Sequence, residues 1–354
     1  MPTDTPRYRA TELTDFAERL FLAAGCEANK ATAMARHLVE ADLMGHTTHG
    51  LAQVPGYLEE IEAGLMAKAG EPRLIADQGA AITWDGETLP GIWLTDKALA
   101  LAAERARRHG LAAVAIRRSH HIGCLAVYLR WATERNLMAI VASSDPSEAT
   151  MAPFGGVAAV FTPDPIAFGI PTGGDPILVD ISSSITTNGM TGRLRREGRR
   201  YPGLWAQDAQ GRPTDDPAVL AASPPGSLLP TGGTDHGHKG YGLALAVEAL
   251  TQGLAGHGRA EKPTTWAANV YVQVMDPAGF GGADAFLRQT SWLAKLCRET
   301  PPAPGVDSVR LPGQQASSRR RAGLAEGLAL YPGIMDGLAG WAAKLKVTMP
   351  EAMA

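Results

Sequence analysis

Apolar residues over the first seventy positions recur at the spacing of one helix face. Leu13, Phe16, Ala17 and Leu20 follow the i, i+3, i+4, i+7 pattern, with Thr11 placed to cap the start and Gly25 to supply a left-handed stop. Behind Asn29 as cap, Ala31, Met34, Leu38 and Ala41 repeat it, and a third helix is predicted from Gly56 to Ala63. From Arg73 the pattern shortens to apolar segments bounded by turn residues. Ala81–Trp84 precedes Asp85-Gly86, and Leu111–Ile116 follows a helix capped by Thr95 and stopped by Gly110. Met138–Ala142, Ile177–Ile181 and Asn269–Met275 are further strands, the last with Val270, Val272 and Val274 alternating onto one face. The stretch from Gly192 to Pro230 lacks periodicity and reads as a long surface excursion. After the break at Pro301-Pro302-Ala303-Pro304-Gly305, helices are predicted over Arg319–Leu330 and Gly337–Lys346, rejoining the N-terminal bundle; Arg319, Arg320 and Arg321 are read as a solvated face or an anion site. The organisation expected is α/β, with residues 1–72 helical, 73–300 an α/β domain and 301–354 the returning helices.

Composition narrows the partners. With 45% hydrophobic residues in 354, the chain can bury a large core, and a net charge of -3 argues against nucleic acid and membrane surfaces and for small-molecule or protein partners. Cys26, Cys124 and Cys297 are odd in number and far apart, which fits a reducing compartment; with no apolar leader and no long uncharged apolar run, a cytoplasmic protein is expected.

Four stretches carry candidate chemistry. Asp42–Val54 puts His46, Thr48 and His49 in a glycine-bounded bend between two helices, and an imidazole with a pKa near ~6.5 exchanges protons at neutral pH. Ser119-His120-His121 leaves the end of a strand, as does Asp180 followed by Ser182, Ser183 and Ser184; hydroxyls and amides there suit phosphate, and a carboxylate suits an imidazole. His236-Gly-His238-Lys239-Gly240-Tyr-Gly242 opens an apolar run and offers amides and a cation to an anion. It is not a dinucleotide fingerprint, because the third glycine and the preceding strand are missing. The histidines at 46, 49, 120, 121, 236 and 238 also admit a metallohydrolase, although no His-Glu-x-x-His is present.

In one order along most of the chain stand Asp42-x-x-Gly45-His46-x-Thr48-His49-Gly50, Ser119-x-His121-x-Gly123, Pro153-x-Gly155-Gly156, Pro165-Ile-Ala-Phe168, Asp180-x-x-x-Ser184, Gly211-x-Pro-Thr214, His238-Lys-Gly-Tyr-Gly-Leu-Ala244 and Leu311-Pro-Gly313. This set resembles the malate/L-lactate dehydrogenase family that lacks a Rossmann fold. The resemblance implies an oxidoreductase using NAD or NADP, a cofactor domain with a predominantly antiparallel sheet, a helical domain built from both chain ends, and a homodimer. It implies that His49 passes the proton, with Thr48, Asp180 and His121 beside it in the catalytic group. It further implies that Ser182, Ser183, Lys239, Gly240, Gly313 and Gln314 hold the cofactor. Three positions depart from the family. Gln53 replaces an arginine suited to a substrate carboxylate, leaving Gln53 and Arg117 as the substrate-binding candidates; Asp164 replaces asparagine and adds charge near the cofactor; Gln314 replaces glutamate. These departures make a catalytically altered, cofactor-binding homologue the alternative.

Overall fold

The computed structural model describes residues 6–353. Its N-terminal part is β1 (Arg7–Tyr8), α1 (Ala10–Ala23), α2 (Ala28–Leu43) and α3 (Val54–Glu62). The middle runs β2 (Arg73–Asp77), β3 (Ala81–Asp85), α4 (Gly91–His109), β4 (Leu111–Ser119), α5 (Leu125–Thr133), β5 (Met138–Ser144), β6 (Pro165–Ile170), β7 (Ile177–Ser182) and α6 (Asn188–Arg196). Then come β8 (Ala206–Gln207), β9 (Pro213–Thr214), β10 (Ser227–Leu228), α7 (Gly233–His236), α8 (His238–Glu248), β11 (Ala268–Met275) and α9 (Ala283–Glu299). The chain ends in α10 (Gln314–Glu326), β12 (Leu328–Ala329) and α11 (Ile334–Leu345).

The main sheet has the order β2-β3-β4-β11-β5-β6-β7, and every neighbouring pair is antiparallel except β3 and β4. Strand β11 is its centre. Val270, Val272 and Val274 face one side and pack with Leu94, Ala98 and Leu99 of α4, whereas Tyr271 joins a smaller cluster on the other side with Val247 of α8. The alternation in the sequence is therefore a strand covered on both faces by helices. A separate core is made by α1, α2 and α3 with Leu328, Ile334, Leu338 and Ala342 from the far end of the chain, and β1 pairs with β12 beside it. Burying a Leu or Phe fully contributes roughly 1.5–3 kcal/mol, so this shared core ties the two ends together strongly. Among the described residues no helix is long and apolar enough to cross a membrane.

Several local expectations are corrected. Thr11 and Asn29 lie inside their helices, whose caps are Arg9 and Glu27; the β1–β12 ladder and the Glu27 N–H bond to Lys68 O set where the chain enters each helix. Thr95 lies a full turn into α4, buried, with its hydroxyl donating to Gly91 O at 2.7 Å. The helix starts earlier, after Pro90, and its first residue Gly91 abuts the backbone of His120, where a Cβ would stand 1.9 Å from the carbonyl oxygen. The segment from 192 to 230 is not a mere excursion. It completes α6 and supplies the three-stranded sheet β10-β8-β9, over a core of Met151, Phe161, Leu194, Tyr201 and Leu228 contributed from distant parts of the chain. Of the three arginines, Arg320 pairs with Glu40 and Arg321 with Asp175, so they brace α10 rather than gather an anion.

Candidate active site

The loop after α2 is built around one buried carboxylate. Asp42, at the end of the helix, accepts the Leu51 N–H at 2.7 Å, and Gly50 lies against it so closely that a Cβ would stand 2.3 Å from the carboxyl carbon. Burial raises the Asp42 pKa to about 7. Inside this fold, His49 N donates to His46 O at 2.8 Å and the Gln53 amide donates to Thr48 O at 2.6 Å. The side chains of Thr48 and His49 then meet, Oγ1 to Nδ1, at 2.9 Å. That contact occupies one ring nitrogen of His49 and leaves Nε2 without a hydrogen-bond partner among the described residues.

His121 comes to the same place from the end of β4. Its ring stacks on that of His49 with centroids 5.7 Å apart, and its Nδ1 lies 2.6 Å from the Tyr57 hydroxyl of α3. Burial lowers the His49 pKa to about 4, helped by the charges of His46 and Arg193, and holds His121 well below its ordinary value. Both rings are neutral at pH 7 in the free protein. Tyr57 is kept protonated by burial and has no other hydrogen-bond partner among the described residues, so it donates to His121 Nδ1. A neutral imidazole has one N–H, which then sits on His121 Nε2.

Asp180 does not bond His49. Its carboxylate accepts the Ala126 N–H at 3.0 Å and faces the Cys124 thiol at 3.8 Å; burial raises its pKa, opposed by the charge of the neighbouring His46. Ligand atoms of His46, Cys124 and Asp180 lie within 4.8 Å of one another, the one such group of potential metal ligands among the described residues. The six-histidine arrangement is not formed: His236 and His238 stand exposed at α7 and α8, and His120 stacks on Trp266 with neither ring nitrogen bonded.

These groups open on a cavity of about 630 Å³. Of the residues expected in the site, Thr48, His49, Gln53, His121, Asp180 and Ser182 line it. Arg117 does not; its guanidinium is held by Asp85, which Arg73 and Arg118 share. Ser183 is buried behind the wall, donating to Asp164 O, and Gly240 packs on it, where a Cβ would stand 2.6 Å from Ser183 O. Lys239 is exposed on α8, outside the cavity lining. Gly313 packs against Leu178 of β7, and Gln314 accepts the Leu311 N–H of its own turn at 3.2 Å; neither reaches the cavity. Asp164 also faces away from it, fully buried, with burial and Glu248 pushing its pKa well above the carboxylate range.

The cavity holds residues that sequence patterns did not single out. Trp266 and Cys124 line it, as do Thr187, Asn188, Gly189 and Arg193 at and near the start of α6. Thr187 caps that helix by accepting Met190 N–H, a threonine-before-helix signal that was legible in the sequence but obscured by the absence of apolar periodicity after it. Orphan N–H groups at a capped helix start, with a serine at the end of the adjoining strand, fit the diphosphate of a dinucleotide.

The sequence profile of the malate/L-lactate dehydrogenase family matches residues 8–339. The chain belongs to that family. An L-lactate dehydrogenase of Cupriavidus necator is 32% identical over 349 residues, 97% of this chain and 99% of its own. A (2R)-3-sulfolactate dehydrogenase (NADP(+)) of Chromohalobacter salexigens is 33% identical over 343 residues, 92% of this chain and 96% of its own. The solved structure of delta1-piperideine-2-carboxylate reductase from Pseudomonas syringae superposes with a TM-score of 0.83 at 28% identity, covering 96% of this chain and 100% of that one. This member of the malate/L-lactate dehydrogenase family is therefore an oxidoreductase of the dehydrogenase and reductase kind, which overturns the metallohydrolase reading.

Proposed function

We propose that the protein transfers hydride between NAD or NADP and the C2 carbon of a small 2-hydroxy or 2-oxo acid, or of a cyclic 2-imino acid, with His49 moving the proton. The observation that carries the reading is the His49 ring itself: Nδ1 tied to Thr48, Nε2 free, and the whole ring set in a cavity wall. A bound nicotinamide supplies the hydride acceptor or donor. The chain's own part is placement and proton supply. Neutral Nε2 accepts the hydroxyl proton as the alcohol is oxidised, and its protonated form returns that proton when the carbonyl or imine is reduced. His121 offers its Nε2–H to the same oxygen or nitrogen, and Thr48 keeps the neighbouring ring from turning. Asp180 and His46 form the polar wall beside them.

For the nucleotide, Ser182 and the Thr187–Gly189 start of α6 would hold phosphates, with Ser183 and Gly240 bracing that wall from behind and Lys239 lending charge from α8. The exposed Trp292, Leu293 and Leu296 of α9 support a homodimer. Nucleotide fluorescence on mixing with NADH and NADPH tests the reading; failure to bind either ends it. Binding without turnover on a panel of 2-oxo acids and cyclic imines would instead favour a cofactor-binding protein without catalysis.

A further inference from the structure

The cavity has a charged residue whose job is unassigned. Arg193 is the one lysine or arginine in the lining among the described residues, and it has no carboxylate within ion-pair distance among them. It is half-buried, and burial is the first cause lowering its pKa, so its charge is held at a cost. Two of its five N–H bonds are spent, Nη1 on the Thr47 hydroxyl at 2.8 Å and Nη2 on the Thr47 carbonyl at 2.9 Å. Its plane lies over the Tyr331 ring, with Cζ 3.7 Å from the centroid. Three N–H groups remain, on a guanidinium fixed from two sides and placed against the loop that carries His49.

The acidic residues of the cavity sit elsewhere. Asp145 and Glu148 belong to the Arg259 side, where that guanidinium donates to both of their carbonyls, and Asp180 faces His46. Gln53 is neutral and has given its amide to Thr48 O. An anion entering the cavity therefore finds one permanent positive charge. Resting on the function proposed above, we infer that Arg193 is the specificity-determining residue that grips the substrate's carboxylate, so that the substrate is an anion with the charge adjacent to the reacting carbon. A planar fork matches a carboxylate in two bonds, and the rigid seat on Thr47 and Tyr331 means little order is lost on binding.

The same bonds to Thr47 could serve only to strap α6 to the loop, and the experiment separates the two roles. Michaelis constants are measured for the best-reduced 2-oxo acid of a panel and for its methyl ester, which keeps the reducible carbonyl and loses the charge. Arg193→Gln is expected to raise the acid's KM by about ten- to a hundredfold while the ester's stays within about threefold, and nucleotide affinity is unchanged. Arg193→Lys, which keeps the charge but not the fork, carries the same comparison if the first variant does not fold, with a several-fold rise for the acid alone. Acid and ester moving together, or an unmoved acid, would overturn the inference. Should neither nucleotide bind, the proposed function fails but Arg193 can still be read. Oxamate, titrated against the tryptophan fluorescence of the free protein, is expected to bind the wild type and not Arg193→Gln, and equal binding or none to the wild type counts against the anchor.

Discussion

The Tyr57 hydroxyl lies 2.6 Å from Nδ1 of His121, while the His121 ring stacks 5.7 Å from that of His49. One phenol on α3 thus sets the tautomer of the imidazole that shares the cavity with His49, the proposed proton carrier. Tyr57→Phe removes the donor and frees His121 to take either tautomer. Turnover should fall by about tenfold, the usual size of losing one oriented hydrogen bond, with nucleotide affinity unchanged. Imidazole nitrogen chemical shifts should show His121 moving to a tautomer mixture; a single unchanged tautomer would mean another group holds it.

His49→Ala should keep the nucleotide and lose at least about two powers of ten in turnover, in line with loss of a general acid-base. His121→Ala should cost less, because its part is hydrogen bonding rather than proton exchange. If the two losses came out reversed, the proton would pass through His121.

The pH dependence follows from the depressed His49 pKa of about 4. Oxidation needs the neutral ring, which is present at every pH above that value, so kcat/KM for oxidation should be flat from pH 5 to 8 as far as His49 is concerned. Reduction needs the protonated ring, so its kcat/KM should fall about tenfold per pH unit across the neutral range. A substrate carboxylate adds the missing countercharge, and the break in kcat should therefore lie above that in kcat/KM. A reduction profile that is flat up to pH 6.5 would contradict the burial argument.

Two buried histidines should each withdraw stability on acidification. Burial lowers His37 and His120 to a pKa of about 3, against about 6.5 for the unfolded chain. Between those values the unfolded state binds protons that the folded state refuses, so stability drops as pH falls, by up to about 1.4 kcal/mol per unit for each ring. Buried Asp42 works in the opposite direction, since its raised pKa makes the folded state take up a proton as pH falls below about 7. The comparison is thus between wild type and His120→Phe, which keeps the stack on Trp266: urea unfolding from pH 7 to 5 should be shallower in the variant by about one proton. Equal slopes would show His120 charging within the fold.

Gly91→Ala would drive a methyl carbon to 1.9 Å from His120 O, and backbone cannot yield there cheaply. Overpacking of this kind costs about 1–3 kcal/mol. Because the displaced backbone carries His121, a fall in turnover should accompany the lowered melting temperature.

Much of this site was readable in order along the chain. The Gly45-His46-x-Thr48-His49-Gly50 bend is local, and its glycines are dictated by positive φ at Gly45 and by the closeness of Asp42 to Gly50. His121 could be placed because a strand ends just before it. Pairings between distant residues were not readable: Asp180 was expected on His49 and stands by His46, since which imidazole a strand-end carboxylate meets depends on how β7 lies against the loop. Arg193 was hidden for a similar reason. It sits on a short polar helix amid glycines and arginines, where no apolar stripe announces a face, and its importance arises only from Thr47 nearly 150 positions earlier. Arg117 misled because a charge beside a strand end says nothing of the buried Asp85 that claims it.

The ladder joining Arg7–Tyr8 to Leu328–Ala329 places a timing constraint on the newborn enzyme. When the first three hundred residues have been made, His49 and every strand of the main sheet have been synthesised, yet Leu51 still lacks Leu338, which completes the core beneath the bend that carries His49. A chain cut short before α11 should thus emerge with these reactive groups present and nothing firm for them to stand on.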